Sequence, residues 1–234
     1  MLTSILRSAL VGSACLAAAL LLTTPETGHA APAPAATAML FDASHLANLK
    51  KGDELTYHFE RKGSEQKVLG ENFTDDIHVG IIEEEAGGTR AVSVRVFTTD
   101  RARPEQRISG MTGNPLLVVF LDRAVNNFAM LAGGSRPYLK NRFKQQLDGG
   151  TTVEPVAIDY KGRKVEGYRV KLTPYAGDPN ALKMQGYDGS SFEIVVSDQI
   201  PGHFAETRSV YASPQELSPR LEERIVLDGV GAIK

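Results

Sequence analysis

Polar and apolar residues alternate along most of this chain. Leu55, Tyr57 and Phe59 alternate with Thr56, His58 and Glu60; Ile77, Val79 and Ile81 with His78 and Gly80; Val92, Val94 and Val96 with Ser93 and Arg95. A period of two carried by β-branched and aromatic residues predicts strands buried on one face. The alternation resumes at Val156 and Ile158, at Tyr168, Val170 and Leu172, and at Phe192, Ile194 and Val196, then continues through 203–211 and 221–228. Between the strand at 192–196 and the one at 203–211, Pro201 followed by Gly202 suits the second and third positions of a type II turn. About eight strands with mostly short connections exclude a doubly wound parallel sheet, whose neighbours need crossovers of about a dozen residues or more. The expected fold is mainly β: a curved antiparallel sheet, half-barrel or barrel, with a central helix pair packed on it.

The helix pair is read from 114–147. Asn114 is a good N-cap and Pro115 suits a first helical position. Leu117, Leu121, Ala124, Phe128 and Leu131 then recur at spacings of four, three, four and three, which makes one helical face. Asp122, Arg123, Asn126 and Asn127 share a polar arc, while Leu116, Val118, Val119 and Phe120 make the first two turns apolar all round. One packed face does not require that much apolar surface, so a second partner or ligand is expected there. Gly133-Gly134 ends the helix and Ser135 can cap the next, whose stripe is Leu139, Phe143 and Leu147. That second helix also carries Arg136, Lys140, Arg142 and Lys144. These four cations either pair with acids elsewhere, such as Glu83-Glu84-Glu85, or meet an anionic headgroup or acidic partner. A shorter helix capped by Ser44, with Leu46 and Leu49 inward, is expected ahead of the first strand.

The N-terminus changes the picture of where the protein works. Arg7, the apolar stretch 9–22 and Gly28-His29-Ala30 predict an export signal cleaved after Ala30, with a core too short to span a bilayer. Residues 31–39 read as a disordered leader and 40–234 as a single β-rich domain. Cleavage of 30 of the 234 residues leaves 204, enough for one sizeable core. The only cysteine, Cys15, falls inside the signal, so the mature chain forms no disulfide. Charge is −2 before and after cleavage, which argues against nucleic acid as a partner.

Catalytic signatures are weak. Ser135 lacks a Gly-x-Ser-x-Gly elbow and reads as a helix cap. His58 and His78 lie on neighbouring strands, but no histidines stand at metal-ligand spacing, and no metal or cofactor is implied. Asp75-Asp76 and Glu83-Glu84-Glu85 bracket a strand and read as turn residues without calcium-loop spacing. The absence of tryptophan disfavours polysaccharide chemistry.

From Leu40 to Leu227, the order of elements resembles the bacterial lipoprotein-carrier and lipoprotein-receptor superfamily of half-barrels. The stretch from Gly113 to Arg142, a GNPxxxxFLxR helix followed by GGSxxYxxNR, is also similar to uncharacterised periplasmic proteins of proteobacteria. The carrier resemblance implies a cavity for acyl chains between the concave face of the sheet and the helices. The expectation is therefore an exported, non-enzymatic binding or envelope-maintenance protein of the periplasm, holding a lipid, acyl chain or envelope protein. Its expected ligand residues are Leu117, Phe120, Leu121, Phe128, Leu131, Arg136, Lys140, Arg142 and Lys144. Two alternatives stand beside it: an envelope hydrolase using His58, His78 and nearby acids, and a structural interaction module.

Overall fold

The computed structural model describes residues 34–231; the expected signal and Cys15 lie outside them. Nine strands follow in chain order: β1 (Glu54–Gly63), β2 (Phe73–Glu84), β3 (Arg90–Val96), β4 (Gln106–Met111), β5 (Thr152–Tyr160), β6 (Arg163–Leu172), β7 (Ser191–Val196), β8 (Phe204–Tyr211) and β9 (Leu221–Leu227). They form one curved, unclosed antiparallel sheet in the order β4-β3-β2-β1-β9-β8-β7-β6-β5. The helices are α1 (Gln66–Leu69), α2 (Leu116–Ala132) and α3 (Arg136–Gly149).

This topology explains why helices interrupt the strands where they do. β4 and β5 are consecutive in sequence yet form opposite edges of the sheet. Eight inter-strand spacings of about 4.8 Å separate them, roughly 38 Å before curvature. A helix of 17 residues and one of 14 extend about 25 and 21 Å at 1.5 Å per residue. The pair therefore bridges the edges and buries its apolar stripes on the concave face.

Alternation fixes which side chains reach that face. Leu55, Tyr57 and Phe59 on β1, Ile77, Val79 and Ile81 on β2, and Leu221, Ile225 and Leu227 on β9 are buried. Their register is continuous, with Phe59 opposite Asp75 on one side and Ile225 on the other. The convex face instead carries exposed and half-buried charges paired diagonally across strands, such as Arg224 with Glu206 and Arg208 with Glu222.

The turn between β7 and β8 forms as expected: His203 N–H donates to Ile200 O at 3.2 Å, and Gly202 has φ +69°. A Cβ at Gly202 would also lie 2.4 Å from Leu55 Cδ1, so glycine is required for both conformation and space.

Several local expectations differ from the structure. Asp75-Asp76 and Glu83-Glu84 are part of β2, not turns. The helix expected after Ser44 is only a pair of single turns, because its backbone is engaged elsewhere: Leu46 N–H donates to Thr112 O at 3.1 Å. Leu46 and Leu49 are nevertheless buried. A helical turn lies earlier, at Ala38–Asp42, and with Ala36 it brings Leu40 into the core. The ninth strand, β4, is absent from the sequence expectation; only Ile108 and Met111 of its six residues are even partly buried.

Candidate ligand-binding cleft

Asn114 sets the position of α2. Its Oδ1 accepts the Leu116 N–H at 3.0 Å, the capping bond anticipated from sequence. Its side-chain amide donates to Tyr57 Oη at 2.8 Å and to Gly202 O at 2.9 Å, tying the helix to β1 and to the β7–β8 turn. At the other end, Gly133 has φ +77° and its N–H donates to Ala129 O. Ser135 occupies the cap position of α3, but its side chain makes no capping bond.

The buried face of α2 is rotated from the expected one. Leu116, Leu117, Phe120, Ala124, Val125, Phe128 and Ala132 are buried, whereas Leu121 and Leu131 are only partly so. The apolar first turns are thus explained largely by packing. Phe128 rests on Tyr175 with ring centroids 3.8 Å apart, and Phe143 of α3 meets Phe192 at 4.8 Å. Large side chains therefore occupy the space between helices and sheet at these positions. Packing leaves Met130 of α2 51% exposed, and near the helix start it leaves uncovered the pair Val118, 62% exposed, and Phe41 on the N-terminal turn, 48% exposed.

These two residues edge a cleft of about 540 Å³ on the outer side of the helix pair. Val118, Leu121 and Val125 line one wall at spacings of three and four, Phe143 and Leu147 of α3 line the other, and Phe41 with Thr37 closes one side. The rim carries Asp42, Asp122 and Asp148 against Lys140 and Lys144.

Of the nine expected ligand residues, the cleft brings together Leu121, Lys140 and Lys144. Leu117, Phe120 and Phe128 are in the core, and Leu131 packs against it. Three of the four basic residues of α3 are paired with carboxylates. Lys140 Nζ meets Asp122 Oδ1 at 2.7 Å, and Lys144 pairs with Asp148 one turn on. Arg136 donates to Asn126 Oδ1. None of these partners is Glu83-Glu84-Glu85; Glu84 lies near Arg90, and Glu85 accepts from Gly110 N–H.

Arg142 has a structural duty. It lies 2.7 Å from Asp178, out of line for a hydrogen bond, and that carboxylate also accepts from Tyr138 Oη and the Asn180 N–H. Burial would raise the Asp178 pKa, but these donors and the guanidinium outweigh it and hold the group below the usual carboxylate range. The result clamps the 173–190 connection to α3.

A second polar group went unnoticed in the sequence. Glu223 on β9 is buried and sits directly opposite Arg61 on β1, which donates to it. Arg123 of α2 reaches the same carboxylate through Nε at 2.9 Å and Nη2 at 2.6 Å, and stacks over Phe59 at 4.5 Å. Arg61 also donates to Asn127 Oδ1 at 3.1 Å and to Leu69 O at 3.1 Å. The polar arc of α2 thus turns partly inward. The available signal was phase: Arg61 continues the series Leu55, Tyr57, Phe59, and Glu223 sits between Leu221 and Ile225.

The histidines divide in the same way. His58 Nδ1 meets Asp76 at 2.6 Å, with Asp228 3.7 Å from its Nε2, and His78 Nδ1 meets Glu54 at 3.0 Å, so the two rings engage different carboxylates. No group of three or more potential metal ligands occurs among the described residues. His45 is buried: its Nδ1 accepts the Asn114 N–H at 3.1 Å and Nε2 lies 2.8 Å from Met39 O. Those partners require the neutral ring protonated at Nε2, and burial lowers its pKa despite the Met39 carbonyl.

No family model matches this chain, and no curated protein matches it by sequence. Among solved structures, it is similar to the lipoprotein LppX of Mycobacterium tuberculosis, with 10% identity over 76% of this chain and 86% of that one, at a TM-score of 0.32. A LolA superfamily protein of Nitrosomonas europaea aligns with 9% identity over 86% of this chain and 94% of that one, at a TM-score of 0.21. Likeness at this level leaves function to be argued from the chain's own residues.

Proposed function

We propose that this is an exported, non-enzymatic binding protein of the periplasm that holds one acyl chain in the cleft between α2, α3 and the Ala38–Asp42 turn. The carrying observation is an apolar cleft walled by Val118, Leu121, Val125, Phe143 and Leu147, with Val118 and Phe41 left exposed at its edge. Its volume falls within the roughly 300–1,000 Å³ common for small-molecule sites. The ligand lies outside the helix pair instead of between helices and sheet, where Phe128, Tyr175 and Phe192 are packed together. Export is supported by the N-terminal pattern, and no helix among the described residues is long and apolar enough to cross a membrane.

Val118→Asp tests this reading because Val118 contributes little to the core. Titration with an apolar fluorescent probe is expected to show saturable binding by the parent and at least a tenfold weaker response in the variant, about the cost of placing an unpaired charge against an acyl chain. Equal binding by the two proteins, with both folded by circular dichroism, would remove the cleft as the site.

A further inference from the structure

The ridge Val118–Asp122 separates the apolar cleft from a second hollow. That hollow, of about 310 Å³, is lined by Arg103, Gln106, Arg123 and Asn126, and shares Val118 and Asp122 with the first. The two therefore adjoin across a single helical turn, but their chemistry is opposite. Around the apolar cleft three carboxylates face two ammonium groups. Around the second, Arg103 and Arg123 face Asp122 alone, with Gln106 and Asn126 as further hydrogen-bonding groups.

Most charges here are already engaged: Arg123 with Glu223, and Asp122 with Lys140. Arg103 differs. Its neighbours Arg101 and Arg107 are paired with carboxylates, whereas Arg103 forms no ion pair among the described residues. It is also held in place by its backbone, since its N–H donates to Val96 O at 3.1 Å and the loop behind it is tied to a buried carboxylate. Asp75 accepts from Thr98 N–H and Oγ1, both at 2.9 Å, and from Thr99 Oγ1 at 2.5 Å. Phe97, with φ +68°, starts this loop in a conformation that side chains seldom adopt. A loop fixed at this many points presents Arg103 at a defined position beside α2.

Building on the acyl-chain reading of the cleft, we infer that the ligand is a single-chain anionic amphiphile, its tail between α2 and α3 and its carboxylate or phosphate headgroup across the Val118–Asp122 ridge at Arg103. This assigns the headgroup to the β3–β4 loop and not to the basic residues of α3, of which Lys140, Arg142 and Lys144 are paired with carboxylates and Arg136 is bonded to Asn126. Arg103 binds either anion through paired N–H donors, and Gln106 and Asn126 supply neutral donors beside it.

The test compares three probes of equal chain length: oleate, a lysophosphatidylglycerol bearing the same acyl chain, and uncharged oleyl alcohol, against the parent and Arg103→Glu. At low salt the parent is expected to bind at least one anionic probe roughly tenfold more tightly than the alcohol, as charge-assisted bonds allow. Arg103→Glu is expected to abolish that preference while leaving alcohol binding and the melting temperature unchanged. Whichever anionic probe loses affinity identifies carboxylate or phosphate as the better headgroup. Equal binding of all three probes by the parent, or an anionic preference that survives in Arg103→Glu, would overturn the headgroup assignment while leaving the cleft reading intact. Failure of every probe, the alcohol included, would overturn both.

Discussion

Helices α2 and α3 are consecutive, comparable in length and packed on the same sheet, yet they are held by different forces. α2 is tied at its start by Asn114 to β1 and the β7–β8 turn, buried along most of its length, and joined to the sheet by Arg123 and Glu223. α3 buries a narrow stripe of Leu139, Phe143 and Leu147 and surrounds it with charges mostly satisfied near the surface. Charge counted along the sequence draws the eye to α3. The charges that matter most for folding are those on α2 and its partner strands, because an ion pair gains in consequence as water is excluded from it.

The sharpest way to break this contrast is to remove the buried carboxylate. Glu223→Ala leaves Arg61 and Arg123 facing each other in the core, and loss of one partner from a buried ionic group typically costs about 3–5 kcal/mol. Urea unfolding is expected to show a loss of that size. A change below about 1 kcal/mol would mean that the two guanidiniums find water or other acceptors, and that α2 is held by its apolar face alone.

Acid tests the start of α2 by a gentler route. Burial depresses the pKa of His45, and burial together with the neighbouring His45 ring depresses that of His203, against a smaller raising effect from Asp198. The ring centroids are 5.2 Å apart. For groups shifted this way, the unfolded chain binds protons more readily than the folded one. Their contribution is therefore fully present above about pH 6.5, the ordinary histidine value, and is lost as pH falls through the lower folded values. Protonating His45 at Nδ1 also removes the acceptor of the Asn114 N–H. The expected outcome is a urea midpoint that declines between pH 7 and 5, with a shallower decline in His45→Gln whatever its absolute stability. Identical slopes would place the acid sensitivity elsewhere.

Much of the fold was legible because the strands obey one rule. Where a strand has one face buried, as β1, β2 and β9 do, period two identifies it and its inward residues. β4 escaped because it is an edge strand, exposed on both sides for most of its length, so neither face imposes alternation. Asp75, Arg61 and Glu223 were each in phase with buried apolar neighbours, but a reading keyed to hydrophobicity assigned Asp75 to a turn and passed over the other two. The α3 cations were conspicuous in sequence, whereas their partners Asp122 and Asp178 lie 18 and 36 positions away from Lys140 and Arg142 and meet them only through tertiary packing. The cleft was half legible. Excess apolar surface near Val118 was visible, but the facing wall depends on how Phe143, Leu147 and Phe41 converge, which no local pattern encodes.

The smallest expected effect is on α3, and its smallness is what gives it force. Lys140 and Asp122 are each more than half exposed, so their contact at 2.7 Å competes with water and salt. Asp122→Asn should therefore change stability by less than about 1 kcal/mol, as measured for exposed pairs, and by still less at high ionic strength. Ligand affinity need not be so indifferent. Asp122 stands on the ridge shared by both hollows, and its carboxylate faces an anionic headgroup placed at Arg103. Neutralising it is expected to strengthen oleate binding at low salt while leaving the urea midpoint nearly fixed. A large loss of stability instead would show that α3 is pinned through this one pair, and that the two helices are held more alike than their packing indicates.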